Sequence, residues 1–300
     1  MRVACVGEAM VELALDASGK AARIGFAGDT LNTAVYLKRA APALEVSYVT
    51  RLGRDAFSQR MVAFMAAEGL ETSGIEYSET RSPGLYAITT DAAGERSFSY
   101  WRDSSAAREM FQTGKSVDFE VLAGVDVIYL SAISVAILPG WVRSEFCNWL
   151  AGWRREGGQV AFDSNYRPAL WTDRAEARAA IGRMWELADI ALPSLDDEQA
   201  VFGDNSVDEV VTRLHAAGVR QGALKCGAGG PVSLGEPVDL AFAPAAKVVD
   251  TTAAGDSFNG GYLAALLTGG SQAEALQAGH DLACQVVAET GAIVPRGGSE

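Results

Sequence analysis

The sequence predicts an α/β fold, a mostly parallel β-sheet flanked by helices and carrying a small β-sheet appendage. Short apolar runs at Val3–Val6, Val125–Ile133, Gln159–Phe162 and Ile190–Pro193 read as buried strands. Helical stretches separate them, and alternating strand and helix is the order that builds a parallel sheet. Two segments, about 9–27 and 84–103, interrupt this pattern with hairpin material; far apart in sequence, they are expected to form a small β-lid over the carboxyl edge of the sheet. The chain has 300 residues, comfortable for one large α/β domain with a small addition, and the whole of 1–300 is read as that single domain.

Composition removes several function classes. Hydrophobic content is 49%, as in a well-packed globular protein. No run of about 18 apolar residues occurs, so no transmembrane helix is expected, and the N-terminus reads as a first strand, not a secretory signal. Cys5, Cys147, Cys226 and Cys284 are scattered, without C-x-x-C spacing; this fits reduced thiols in the cytoplasm. The net charge of −13 repels nucleic acid and acidic membranes. It also makes each well-placed arginine worth attention, because an acidic protein that binds anions must gather its few cations at the site. His215 and His280 are too few for a His-rich metal centre, and no metal ligand set is expected. No G-x-S-x-G elbow supports a Ser-His-Asp triad. A dinucleotide fingerprint after Lys225 fails at Val232, and a P-loop at Gly114-Lys115-Ser116 fails at Glu109.

Taken in order, Val3–Val6 ends in Gly7-Glu8, and Gly28-Asp29-Thr30-Leu31-Asn32 opens a helix to about Ala40. The small and polar residues at that start leave room for a ligand, or merely cap the helix. Val46–Thr50 is a strand, and Asp55 caps the helix that runs to about Glu68. In the hairpin at 84–102, around the turn Asp91-Ala92-Ala93-Gly94-Glu95, Tyr86, Tyr100 and Arg102 fall on one face. They are either a grip for a small acid, since a guanidinium holds a carboxylate bidentately, or an ordinary exposed strand. A helix ending near Glu156 leads to Gln159–Phe162 and then to Asp163-Ser164-Asn165-Tyr166-Arg167-Pro168, at the strand end where α/β proteins place ligands. Arg167 is positioned for a phosphate or an acid, unless the segment is only a turn. After Ile190–Pro193 comes an acidic helix start, Ser194–Glu198; then a strand ending at the glycine turn 225–230; then Lys247–Val249, read as a strand end; and finally a helix over 272–290 carrying His280.

The most specific stretch is Asp250-Thr251-Thr252-Ala253-Ala254-Gly255-Asp256-Ser257-Phe258. Small residues at a helix start let amide groups crowd toward one point, which attracts anions. Asp256 reads either as a helix cap or as a base that takes a proton from an attacking hydroxyl beside a phosphate.

This stretch resembles the second signature of the ribokinase/PfkB carbohydrate kinase family, D-T-x-G-A-G-D-x-F, with Ala253 where the family usually has Gly. Gly28-Asp29-Thr30-Leu31-Asn32 resembles its first signature, with Ala27 for the first Gly, and the turn at 225–230 resembles its nucleotide loop. The resemblance implies a ribokinase-like fold and ATP-dependent, Mg2+-assisted phosphorylation of a sugar. It makes Asp256 the base and the amides of Ala253, Ala254 and Gly255 the anion hole. It implies that Gly28, Asp29, Asn32, Tyr86, Tyr100, Arg102 and Arg167 hold the sugar, and that Asn165, Lys225, Gly227, Gly230, Ala253, Gly255 and His280 meet ATP. Where the family has N-x-x-E to organise magnesium water, this chain has Ser194 and Asp197, with Glu198 adjacent. The arginines favour an acidic sugar, because a neutral one would leave Arg102 without an anionic partner. A neutral-sugar (fructose) kinase and a non-catalytic sugar or nucleotide sensor are the alternatives. An exposed lid edge suggests a homodimer or larger assembly.

Overall fold

The computed structural model describes residues 1–16, 19–90 and 96–296. In chain order the first half comprises β1 (Arg2–Val6), β2 (Met10–Leu15), β3 (Ala22–Ala27), α1 (Asp29–Ala40), β4 (Glu45–Leu52), α2 (Ala56–Ala67), β5 (Ile75–Tyr77), β6 (Gly84–Thr90), β7 (Arg96–Trp101), β8 (Gln112–Thr113) and β9 (Ser116–Val117). The second half comprises β10 (Val127–Ser131), α3 (Ala132–Ile137), α4 (Gly140–Arg155), β11 (Gln159–Asp163), α5 (Arg174–Leu187), β12 (Ile190–Ala191), α6 (Leu195–Phe202), α7 (Val207–Ala216), β13 (Ala223–Lys225), β14 (Pro231–Ser233), α8 (Ala254–Leu267) and α9 (Gln272–Val287).

The central sheet has the order β12-β11-β10-β1-β4-β5, and every pairing in it is parallel. Its middle strands are buried on both faces, so their sequences are apolar throughout instead of alternating. One core forms between the sheet and α3–α7 and the other between the sheet and α1, α8 and α9. β10 and β4 flank β1 on opposite sides, so the chain winds in opposite directions from that strand. This leaves a crevice at the carboxyl ends of β1, β10 and β11, where such sheets bind ligands.

A second sheet, of order β3-β2-β6-β7, stands beyond that crevice. Its two hairpins join through a parallel β2–β6 pairing. The turn 91–95 lies outside the described residues. Gly114 turns the short β8–β9 hairpin at φ +65°, which accounts for the P-loop-like Gly114-Lys115-Ser116. Asp55 caps α2, accepting from the amides of Phe57 and Ser58, and Ser58 Oγ returns a hydrogen bond to Asp55.

The expected strand end at 247–249 does not form. Val248 and Val249 are exposed, and the amides of Val249 and Asp250 donate to the carbonyl of Val287 instead. Among the described residues no strand pairs with this segment, and β-branched residues alone do not make one. α8 packs closely on both neighbours because a Cβ at Gly260 would come within 2.6 Å of Tyr36 Cβ, and one at Gly261 within 2.7 Å of the Ala278 carbonyl oxygen. No helix among the described residues is long and apolar enough to cross a membrane.

Candidate active site

A cavity of about 630 Å3 opens between the two sheets. Its floor comes from strand ends and helix starts, its roof from β6 and β7. Asp256 lies in the first turn of α8 and accepts a hydrogen bond from Asn32 Nδ2 of α1 at 2.8 Å. Thr33 Oγ1 is within hydrogen-bond distance of both the Asp256 carbonyl (3.2 Å) and Tyr129 OH (3.1 Å). Asn259, one turn along α8, donates to Tyr129 OH at 3.0 Å and to Asp163 Oδ2 at 2.7 Å. Lys225 Nζ closes the network on Asp163 Oδ2 (3.0 Å) and Asn259 Oδ1 (3.1 Å). At the end of β10, Ser131 Oγ donates to Asp29, which also accepts from Asn165 Nδ2 at 2.8 Å.

Asp29, Asp163, Asp197 and Asp256 all line this cavity, with Lys225, Arg102 and Arg167 as the cations. The imbalance shows in proton affinity. Burial, then the charge of Asp29, pushes the Asp256 carboxyl well above the usual carboxylate range, while the Asn32 hydrogen bond and Lys225 oppose this. Burial and Asp163 raise Asp197 to about 6, against Arg167 and Lys225. A buried carboxylate with high proton affinity is suited to accept a proton near neutral pH.

The loop before α8 is strained. Ala253 occupies the left-handed region (φ 60°, ψ 17°) that normally favours glycine, and it stands where a side-chain cap would otherwise sit. Of the three amides expected to hold an anion, that of Ala254 already bonds the Thr251 carbonyl at 3.2 Å. The amides of Gly255 and Asp256, in the helix's first turn, have no acceptor within the helix. Gly255 carries no Cβ, and one built there would be 3.6 Å from Lys225 Nζ; the lysine therefore reaches the loop closely.

A second, smaller cavity of about 120 Å3 lies on the other side of this loop. Gly227, Gly230, Phe258 and His280 line it, and it shares Lys225, Ala254 and Gly255 with the first. The His280 ring contacts Phe242, and its Nε2 lies 2.7 Å from the Ala243 carbonyl oxygen.

The roof departs from expectation in one respect. Tyr86 and Tyr100 are cross-strand partners with ring centroids 5.7 Å apart, and both line the cavity with Arg102. Arg102, however, is not a bare cation waiting for a substrate acid: it is buried and paired with Glu8. Tyr86 likewise donates to Glu12. The premise that only an acidic sugar could give Arg102 an anionic partner is thus corrected. Arg167 is exposed and lines the cavity. Gly28 also lines it, but its main constraint is steric, since a Cβ there would run into the Glu8 carbonyl oxygen. Asn165, expected at the nucleotide, lies beside Asp29 in the larger cavity.

The chain matches the model of the pfkB family carbohydrate kinases over residues 1–296. It belongs to the pfkB family of carbohydrate kinases. It is 45% identical to the 2-dehydro-3-deoxygluconokinase of Escherichia coli K12 over 303 residues, covering 98% of this chain and 97% of that one. To the 2-dehydro-3-deoxygluconokinase of Dickeya dadantii it is 46% identical, covering 98% and 96%. Its fold superposes with a TM-score of 0.83 on a putative ribokinase II from E. coli in complex with ATP and Mg2+, at 21% identity and with 97% and 94% of the chains covered. The ribokinase-like fold expected from the signatures is therefore the fold observed.

The sequence reading missed Glu8, Glu12, Asp163 and Asn259. Asp163 had a signal, as a carboxylate at the carboxyl end of a parallel strand, and Asn259 lies one turn past Asp256, directly after the signature. Of the two acidic candidates at the start of α6, Glu198 is buried against Arg213 at 2.7 Å, whereas Asp197 faces the cavity.

Proposed function

We propose that this protein transfers the γ-phosphoryl group of ATP to the terminal hydroxyl of 2-keto-3-deoxygluconate, giving 2-keto-3-deoxy-6-phosphogluconate. The observation that carries the chemistry is the placement of Asp256. It is a half-buried carboxylate of raised proton affinity in the first turn of α8, next to the loop residues Ala254 and Gly255 that line both cavities. The near-full-length relatives carry the choice of substrate.

In this reading the sugar lies in the larger cavity and ATP approaches from the smaller one, past Gly227, Gly230 and His280. Asp256 accepts the proton of the attacking hydroxyl. The amides of Ala253, Gly255 and Asp256 and the ammonium of Lys225 face the charge that builds on the transferring group. Asp29 and Asn32 orient hydroxyls; Tyr86, Tyr100, Arg102 and Arg167 hold the acid end. The β2-β3-β6-β7 sheet acts as a lid whose closure excludes water.

Magnesium fits the residues present. Asp197 and Asp163 both line the cavity, where burial and then the charge of Asp163 raise Asp197 to about 6, and Mg2+ typically takes only one or two carboxylates along with phosphates and waters. When bound it would supply charge neutralisation for the phosphate oxygens. Assembly through the lid's edge strands into a dimer of this chain belongs to the same proposal.

The Arg102–Glu8 pairing gives a neutral sugar a specific foothold, because the cation does not require an acidic ligand. A substrate panel with ATP and Mg2+ separates the readings. The keto-acid is expected to be turned over with kcat/KM at least about a hundredfold above that for fructose, a discrimination of about 2.7 kcal/mol. Comparable values would shift the reading to a neutral-sugar kinase, and no turnover of either to a sensor.

A further inference from the structure

Glu8 has no place in the proton-transfer chemistry, yet it sits where the two sheets meet. The chain passes between the central sheet and the four-stranded sheet at four places, and each of them touches Glu8 or contains it. Glu8 itself lies on the first crossing, between β1 and β2. Gly28, on the second between β3 and α1, has no Cβ because the Glu8 carbonyl oxygen occupies that space. Gly84 opens β6 at the third, and a Cβ there would fall 2.7 Å from Glu8 Oε1 and 3.2 Å from Arg102 Cβ. Arg102 follows β7 at the fourth and donates from Nη2 to Glu8 Oε2.

Both side chains are out of water, Glu8 at 1% and Arg102 at 8% exposure. Their polar groups are only partly used: Glu8 Oε1 and Arg102 Nε are buried without a partner among the described residues. Buried polar atoms normally find partners, but these two have no exposed surface and face the packed junction; what Arg102 offers the sugar cavity is the part of its side chain that lines it. Glu8 does not line that cavity; only Arg102 does.

We infer that Glu8 is a positioning residue for substrate recognition: it fixes the Arg102 guanidinium at the junction of the two sheets, so that the part of the side chain lining the cavity is presented to the acid group of the sugar. An arginine left to itself there would lose substantial rotamer freedom on binding. Held by Glu8, it is organised beforehand, and preorganisation raises affinity. The opposing effect is repulsion between the Glu8 carboxylate and a substrate carboxylate sharing one guanidinium. It predicts the reverse sign, which makes the inference testable.

The inference rests on the keto-acid reading above, and the test keeps the two apart. Full-length wild type, Glu8→Gln, Arg102→Ala and the double variant are assayed for KM toward 2-keto-3-deoxygluconate and toward ATP. Absence of keto-acid turnover by the wild type would overturn the functional reading. Given that turnover, Glu8→Gln is expected to raise KM for the keto-acid roughly tenfold, as for loss of a charged hydrogen bond, with KM for ATP within about twofold of wild type. The double variant should be no worse than Arg102→Ala alone, since Glu8 acts through Arg102. A fall in the keto-acid KM, an equal rise for ATP, or additive effects in the double variant would each overturn the inference. Should Glu8→Gln fold poorly, Glu8→Asp is expected to lie between wild type and Arg102→Ala in keto-acid KM while leaving that for ATP unchanged; a value at wild type or beyond Arg102→Ala would count against it.

Discussion

The floor and the roof of the larger cavity are built on different principles. The floor is a buried polar network: Asp163, Lys225, Asn259, Tyr129 and Thr33 are joined by hydrogen bonds, and Asn32 ties α1 to Asp256. It stands on parallel strands and helix ends whose positions the two cores determine. The roof is an aromatic sheet, with Tyr86 buried at 6% exposure but Phe98 and Tyr100 open at 40% and 53%. The lesson is a division of labour. In the proposed reaction, the groups that meet the reacting atoms sit on the more buried side, and the groups that cover the substrate sit on the thinner, more open side.

The hardest test of the floor is Asp256→Asn. Loss of the proposed base should lower kcat by about 10²–10⁴, the usual range for general-base removal, with smaller effects on either KM. The comparison also predicts a gain. Because the folded protein raises the proton affinity of Asp256, this group's contribution to stability is fully present below its unfolded value near 3.8. It is lost as pH rises through the higher folded value. At neutral to mildly alkaline pH the ionised carboxylate is therefore a burden on the ligand-free fold, and the neutral amide should raise Tm there. At pH 4 the gain should largely disappear. A lower Tm at pH 8 would show that Asp256 is a structural anchor and not a strained catalytic group. In the wild type, the acid limb of the rate profile should lie above the range where exposed carboxylates titrate.

A smaller effect should follow Lys225→Met. The lysine and Asp163 form a largely buried pair, 10% and 3% exposed at their side chains. Removing one member of such a pair leaves a buried charge, at about 3–5 kcal/mol. Chemical denaturation without nucleotide should register that loss, and adding Asp163→Asn should restore most of it, since neither charge then lacks a partner. If Lys225→Met is neutral, the floor is less closely coupled than its hydrogen bonds imply.

The same contrast explains what could be read from the sequence. Alternating strand and helix gave the layered sheet because each apolar run had to be buried on both faces. Asp256 stood out because a carboxylate at an anion-attracting helix start calls for explanation. Glu8 and Asp163 did not stand out as functional, because their significance is relational. Glu8 meets Arg102 across 94 residues and Asp163 meets Lys225 across 62, and no local periodicity encodes such pairings. The parallel β2–β6 pairing that merges the two hairpins was hidden for the same reason. The expected strand at 247–249 erred in the opposite direction: its residues favour extended structure, but among the described residues no strand pairs with them.

Floor and roof touch at Ala253, which sets the finest test. Its backbone is left-handed, at about 1–2 kcal/mol for an alanine, and Gly at this position would relieve that strain. Two terms oppose the gain. The Ala253 methyl packs against the cluster of Met10, Ala27, Tyr86, Ile88 and Ala292, where one methyl is worth roughly 0.8 kcal/mol. Glycine also loosens the unfolded chain by about 0.4–1 kcal/mol. These terms nearly cancel, so Ala253→Gly should leave Tm within about 2 °C of wild type. It should still remove the contact through which the catalytic loop feels the roof, and the keto-acid KM should rise about two- to threefold, a loss on the scale of that methyl contact. A Tm gain beyond about 4 °C would mean that strain outweighs packing. A comparable fall would mean that the methyl anchors the roof, and that an alanine in place of the signature glycine contributes to stability in this chain.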